Sequence, residues 1–457
     1  MNIIVIISDT FRRDHLPCYG NNSIITPNLE AFSEKGLVFE DCYAASFPTV
    51  PMRADLLTGK FTFTYLPWGP LPQNEPTLPE ILRDAGYVTA AIGDTPFLSR
   101  NGYGQDRGFS DFVYVRGQLG GTETDYMHLH RPVSEEMGYC AAKTFKEAAD
   151  WIYRHSGEKF FLYIDTWDPH EPWDPPTHYV KPYFPDYKGE QVRPSYWDYK
   201  EGGFTERDME IARACYKGEI SMVDHWFGYL MERLRVQNLF EDTAVIFTSD
   251  HGFYFGEHGL FGKRRFKWSD GGDFEGGYAR GLTNYDQIVF SSPLHQEVTR
   301  VPLLMRIPGQ KARRISGLVS SPDLNPTILE LAGVDPVASI QANSIFPLIR
   351  KKPKDIHEFV ITSAPFEEIG QMSKTVDDTA REVVEVSPST ITDGEWDFLF
   401  SVQGQPVELY RTKDDPGHQN NLHQEFPKVA EKLHKKFVAW LEEIGTPSKY
   451  LDPRRNM

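Results

Sequence analysis

The chain has 457 residues, 40% of them hydrophobic and 25% charged, a globular composition that excludes a disordered or low-complexity chain and leaves material for a large core. Its formal net charge of −17 argues against nucleic acid or an anionic membrane as partner, and an anionic substrate then needs positive charge from a metal or from a few placed Arg, Lys and His side chains. Four scattered cysteines without a C-x-x-C pair argue against a disulfide scaffold and against a structural zinc site.

In chain order, the first expected element is a strand over residues 2–8 (NIIVIIS). It is preceded by no basic region and followed by no small-residue cleavage site, so it does not read as a signal peptide. No apolar stretch approaches transmembrane length, and the expectation is a soluble, cytoplasmic protein. Helical patterns follow over residues 28–35 and 78–84, each ending at a Gly or Ala-Gly, then over 222–235 and 326–331. Between them, residues 87–92, 160–165 and 244–248 are short, near-continuous apolar runs. Such runs suit strands buried on both faces of a sheet. The alternation predicts an α/β fold: a large mixed, mainly parallel sheet sandwiched by helices. Two long irregular stretches, 173–205 and 264–296, are candidate substrate loops or lids. Past about residue 345 the texture changes. Short strand-like runs at 359–362, 398–402 and 407–410 precede a helix over 426–444. The expected division is a catalytic α/β domain over 1–345 and a small α+β C-terminal domain over 346–457, with an antiparallel sheet and a terminal helix. There is no internal repeat.

Ligands of open α/β sheets bind at the carboxyl ends of the strands. Four runs deliver polar groups there: Asp9 and Thr10, Asp94 and Thr95, Asp168 and His170, and Asp250 and His251. Residues 49–60, TVPMRADLLTGK, read as a helix N-terminus, with Thr49 at or near the cap, Pro51 in the first turn and Gly59 past the end. A hydroxyl at that place sits where the helix dipole and free N–H groups favour an anion, and Arg53 is one turn away. Taken singly, Thr49 is equally a cap, Asp250-His251-Gly252 a turn, Lys263 part of a solvated basic face with Arg264 and Arg265, and His170 a loop hydrogen bonder.

Together these segments resemble one family. TVPMRADLLTG is similar to the sulfatase signature C/S-x-P-x-R followed by A-x-L-L-T-G, with Thr49 at the position of the Cys or Ser that becomes formylglycine. ISDTFRRDHLPCYG, DPHEPW, TSDHGFYFGEHGLFGK, RVPLLMRIPG, PDLNPTILELAG and ELYRTKDDPGHQNNL follow in the family's order. The resemblance spans nearly the whole chain and identifies it as a member of the sulfatase branch of the alkaline phosphatase superfamily. It implies that Asp9, Asp250 and His251, with the Thr49 oxygen, ligate one divalent metal, and that Thr10 stands where a second Asp is common. Thr49 would be the nucleophile, and Arg53 would hold it and one anionic oxygen. His170 and Lys263 would grip the substrate's non-bridging oxygens, and His258 would be a neighbouring donor or leaving-group acid.

Two departures shape the expected chemistry. Where typical sulfatases carry G-K-W-H, this chain has Gly93-Asp94-Thr95-Pro96, so two cations are missing. This resembles the phosphonate monoester hydrolase branch, in which a Thr occupies this region and Asp pairs with His at the second metal segment. Thr95 is accordingly a candidate substrate contact. An imidazole ligand moves the metal preference from Ca²⁺ toward Mn²⁺ or Zn²⁺. Thr49, in turn, has no route to formylglycine. The aldehyde exit is absent, and water must attack sulfur or phosphorus itself. The favoured substrate is therefore a small anionic phosphodiester or phosphonate monoester, ahead of a sulfate ester. A sulfatase proper, a catalytically silent binding protein on the same fold, and a transferase or mutase are the other readings. No nucleic-acid or membrane partner is expected, and a homo-oligomer is compatible with the sequence.

Overall fold

The computed structural model describes residues 1–96, 98, 103–115, 136–268, 287–350, 355–369, 373–374, 382–402 and 405–457. Eight strands form the main sheet: β1 (Asn2–Ser8), β2 (Leu37–Tyr43), β3 (Val88–Gly93), β4 (Asp111–Tyr114), β5 (Phe160–Thr166), β6 (Thr243–Thr248), β7 (Arg300–Arg306) and β8 (Arg313–Ser320). Their order across the sheet is β8-β2-β7-β6-β1-β5-β3-β4. Only β7 runs against its neighbours, β2 and β6. The mixed, mainly parallel sheet expected from the apolar runs is the observed one.

β1 lies in the interior of the sheet, with Ile4 opposite Leu162 on one side and Val245 on the other. Its side chains alternate between two cores, as the period of a strand requires. Ile4 and Ile6 join Leu162, Ile164 and the helices α4 (Cys140–Arg154) and α5 (Glu206–Val236) on one face. Ile3, Val5 and Ile7 join Phe161, Tyr163 and the helices α3 (Leu78–Asp84) and α6 (Leu324–Ala332) on the other. Both faces are thus covered, which explains why the strands read as unbroken apolar runs rather than alternating ones.

Most boundaries lie within one or two residues of the sequence reading. The exception is α5, a 31-residue helix of which the sequence pattern caught only the C-terminal half. Its start is set by a reciprocal capping box between Thr205 and Asp208. Its first half buries Met209, Ala212, Tyr216 and Ile220 at helical spacing, but these alternate with small and charged residues, which thins the stripe in the sequence.

The C-terminal part holds the antiparallel sheet of Val360–Thr362, Ser389–Thr392, Trp396–Phe400 and Glu408–Arg411, as expected. Helix α7 (Pro427–Glu443) covers it and also meets Phe61 and Phe63 from the segment after the Thr49 helix. Within 173–205 there is a short helix, Thr177–Val180, and a strand, Trp197–Asp198, paired with Leu260–Gly262. Much of the second candidate loop, residues 269–286, lies outside the described residues. No disulfide joins any of the four cysteines. Among the described residues no helix is long and apolar enough to cross a membrane.

Candidate active site

Thr49 is the first residue of helix α2 (Thr49–Thr58), which Pro48 precedes and Gly59 closes in a left-handed turn at φ 68°. All ten residues are buried: Met52 and Leu56 join the core on one face of the main sheet, and Ala54 and Leu57 pack with Leu66 and Leu71. Burying Arg53 on such a helix requires that its charge and its donors be satisfied within the protein.

They are. Nε and Nη2 of Arg53 donate to the two oxygens of Asp165, each at 2.8 Å. Nη1 donates to Asp250 at 2.7 Å and to the Thr49 carbonyl at 3.0 Å, and Nη2 donates to Asp9 at 3.1 Å. All five N–H groups of the guanidinium are engaged. Asp165 is a functional residue that the sequence reading missed. It ends the FFLYID run, and Tyr163, two residues earlier on the same strand face, donates its hydroxyl to Asp165 at 2.8 Å. Thr95 also donates its hydroxyl to Asp165. Thr95 is therefore brought to the rim of the Arg53 cluster.

Asp9, Asp250 and His251 come together. One ligand atom from each lies within 4.8 Å of the others, and all three residues are fully buried. Thr10 holds the two carboxylates in place. Its hydroxyl donates to Asp9 at 2.8 Å and its backbone N–H to Asp250 at 2.9 Å. This requires φ 61° at a β-branched residue, a conformation that costs energy and is tolerated where the surroundings impose it. His251 Nδ1 donates to the Gly252 carbonyl at 2.9 Å, which leaves the Nε2 lone pair facing the cluster, 3.3 Å from Thr49 Oγ1. Burial pushes the His251 imidazole down to about 3, so the ring is neutral near pH 7. Burial and the neighbouring Asp250 push Asp9 well above the usual carboxylate range. Asp250, although burial opposes it, is held down by His251 and Arg53.

The donor set fits a divalent cation. Two carboxylates and an imidazole with its far nitrogen anchored are suitable ligands. The charge also fits: three carboxyls, those of Asp9, Asp165 and Asp250, surround the single guanidinium of Arg53.

Lys263, whose charge bears on both Asp9 and His251, donates from Nζ to His170 Nε2 at 2.6 Å. His170 Nδ1 donates to the Glu171 carbonyl at 2.7 Å, and Trp167 stacks on the ring at 3.8 Å. Burial and Lys263 push His170 well down, so it is neutral and accepts from the ammonium.

His258 contacts a different set of residues. It stacks on His295 with centroids 3.8 Å apart and lies 3.4 Å from Glu297. His295 continues to His418 and Asp397. Asp94 accepts from the Trp167 N–H at 2.9 Å, and burial together with Asp168 pushes its carboxyl up. Its negative charge is thus suppressed, and its bond is to backbone.

With this geometry in view, a family model described as Sulfatase matches residues 1–334. An N-acetylglucosamine-6-O-sulfatase from Bacteroides thetaiotaomicron is 25% identical over 433 residues, covering 77% of this chain and 71% of that protein. An arylsulfatase from Clostridium perfringens is 25% identical over 422 residues, covering 79% of this chain and 80% of that protein. Among solved structures, the phosphonate monoester hydrolase of Agrobacterium radiobacter superposes with a TM-score of 0.72 at 19% identity, covering 97% of this chain and 96% of that one.

Proposed function

The chain belongs to the sulfatase family of the alkaline phosphatase superfamily, whose members are metal-dependent ester hydrolases, and from that premise we propose that it cleaves small monoanionic esters through Thr49. Phosphodiesters and phosphonate monoesters are the favoured substrates, ahead of sulfate esters. Asp9, Asp250, His251 and the Thr49 hydroxyl would hold one divalent ion, with Mn²⁺ or Zn²⁺ preferred over Ca²⁺. Such an ion, when bound, supplies Lewis acidity and lowers the pKa of an attached hydroxyl.

The observation that carries this reading is the position of Thr49 Oγ1, at the start of α2 and 3.3 Å from His251 Nε2 beside two carboxylates. Arg53 fixes that residue through its carbonyl and neutralises part of the surrounding charge. Because all five of its donors are occupied within the protein, the transferred group depends on Lys263 and His170. The two cations that typical sulfatases carry at Asp94-Thr95 are absent here. One unit charge about 4 Å away is worth about 4 kcal/mol at an effective dielectric near 20, so a site short of cations disfavours a dianion. Thr49 lacks the aldehyde exit that releases sulfate, which favours phosphorus over sulfur.

The test is a matched panel of p-nitrophenyl esters, assayed with Mn²⁺, Zn²⁺ and Ca²⁺. Monoanionic esters should exceed the phosphomonoester by at least about tenfold in kcat/KM, or about 1.4 kcal/mol. A preference for the phosphomonoester contradicts the charge argument, and a preference for the sulfate contradicts the nucleophile argument. The sulfatase-named relatives favour a second reading, a sulfatase proper, which the sulfate arm of the same panel decides.

A further inference from the structure

Glu171 is a buried carboxyl that none of the chemistry above uses. It is 1% exposed, and neither of its oxygens has a hydrogen-bond partner among the described residues. A buried acid left in this way costs stability, so its place beside the site calls for a reason. Oε2 lies 3.3 Å from His170 Nδ1. The opposite nitrogen of the same ring, Nε2, accepts from Lys263. Trp167 lies flat against the ring and fixes its plane. Carboxyl, imidazole and ammonium therefore stand in sequence, ending at Lys263, whose charge bears on Asp9 and His251. The charged groups that bear on them are Lys263 and Asp250 on Glu171, and Lys263, His251 and Asp250 on His170.

An anion that reaches Lys263 draws hydrogens of its ammonium onto itself. That leaves the Nε2 lone pair of His170 facing a negative oxygen, which is repulsive. A proton on Nε2 reverses the sign of the contact, and the imidazolium so formed has Glu171 at its back. We propose that Glu171 is a positioning residue for anion binding: its carboxylate behind His170 lets Nε2 take up one proton when an anionic group binds, so that His170 and Lys263 become two donors to that group. The proton comes from solvent. One N–H bond forms at Nε2, one buffer acid loses its proton, and nothing is oxidised or reduced. Burial pushes Glu171 up to about 7, so at pH 8 it is already mostly ionised and the uptake belongs to His170.

This inference rests on the ester-hydrolase reading, and the test separates the two. Inorganic sulfate, which does not titrate at pH 8, is bound to the metal-loaded protein by calorimetry in two buffers of different ionisation heat. The wild-type protein should take up roughly half a proton or more, and Glu171→Gln less than about a tenth, with sulfate bound about tenfold more weakly. Glu171→Asp should recover part of the uptake, and His170→Asn should abolish it. If Glu171→Gln does not fold, the Glu171→Asp and His170→Asn arms carry the same test. Uptake unchanged in the Glu171 variants, or sulfate binding by the wild type without uptake, overturns the role of Glu171 alone. Failure of the wild type to bind sulfate at all overturns the anion-site reading beneath it.

Discussion

Arg53 shows how much of this site rests on single residues. A lysine there would present three donors from one point and could not bridge Asp9, Asp165 and Asp250 as the planar guanidinium does. The partners of Arg53 also mark the limit of what the sequence discloses. Asp9, Asp250 and His251 were legible because each follows a strand and falls in the family's order. Asp165 was not, because it closes an apolar run in which nothing distinguishes a polar terminus from a buried ion-pair partner. Glu171 was passed over for a similar reason, since a residue between His and Pro has no pattern of its own. His258, legible as a motif, is drawn toward His295 by contacts that come from distant parts of the chain. Two substitutions separate the roles proposed for the centre. Asp250→Asn keeps the shape and removes one charge, and the purified variant should lose its divalent metal by elemental analysis, together with activity. Thr49→Ala removes only the hydroxyl and should lower turnover by about three orders of magnitude or more while the protein stays folded by circular dichroism. Normal turnover by Thr49→Ala would assign the attack to another group.

At the scale of elements, α2 is held at both ends by side chains of its own. Asp55, two residues after Arg53, accepts from the N–H and hydroxyl of Ser46 at 2.8 Å each, and from the N–H and hydroxyl of Thr62 at 2.8 and 2.5 Å. It thereby joins the loop before the helix to the turn after it. Burial pushes Asp55 up to about 7 despite those donors. A folded value above the unfolded value of about 3.9 means that the native state binds more protons across that interval. The associated stability is complete below pH about 4 and is lost as the pH rises toward 7. The neutral buried histidines His170, His251 and His295 act with the opposite sign below pH about 6.5, so the informative quantity is the difference between variant and wild type. Asp55→Asn should cost about 1–3 kcal/mol and should lack this contribution to the slope of Tm against pH between 5 and 8. Parallel slopes in differential scanning calorimetry would mean that Asp55 keeps one protonation state throughout. The sequence disclosed α2 fully, since Pro and Gly punctuate it. It disclosed only half of α5, whose opening turns thread Met209, Ala212, Tyr216 and Ile220 among small and charged residues, which weakens the periodic signal.

The whole molecule is joined across α2. Phe61 and Phe63, just beyond it, meet Trp440 of α7, with centroids 4.8 and 6.2 Å apart. The C-terminal sheet and helix thus brace the segment that carries Thr49 and Arg53. Trp440→Ala should lower stability by about 2–3 kcal/mol and should reduce activity without touching the centre, which a urea titration beside a rate assay would detect. A stable variant with full activity would show that α7 is not needed as a brace. The α/β class and the change of texture near the C-terminal sheet were legible in the composition of the strands, whereas the contacts across α2 were not, because they join residues nearly four hundred positions apart. The same nonlocality governs how the molecule is made. Ile3 of β1 pairs with Phe161 on one side and Ala244 on the other. During synthesis at about 5–20 residues per second, the first strand to leave the ribosome waits on the order of ten to fifty seconds for its last neighbour. Over that interval an almost wholly apolar strand keeps at least one edge open, so the nascent chain is exposed to aggregation, and refolding from denaturant should be slow and improved by dilution or a holding chaperone.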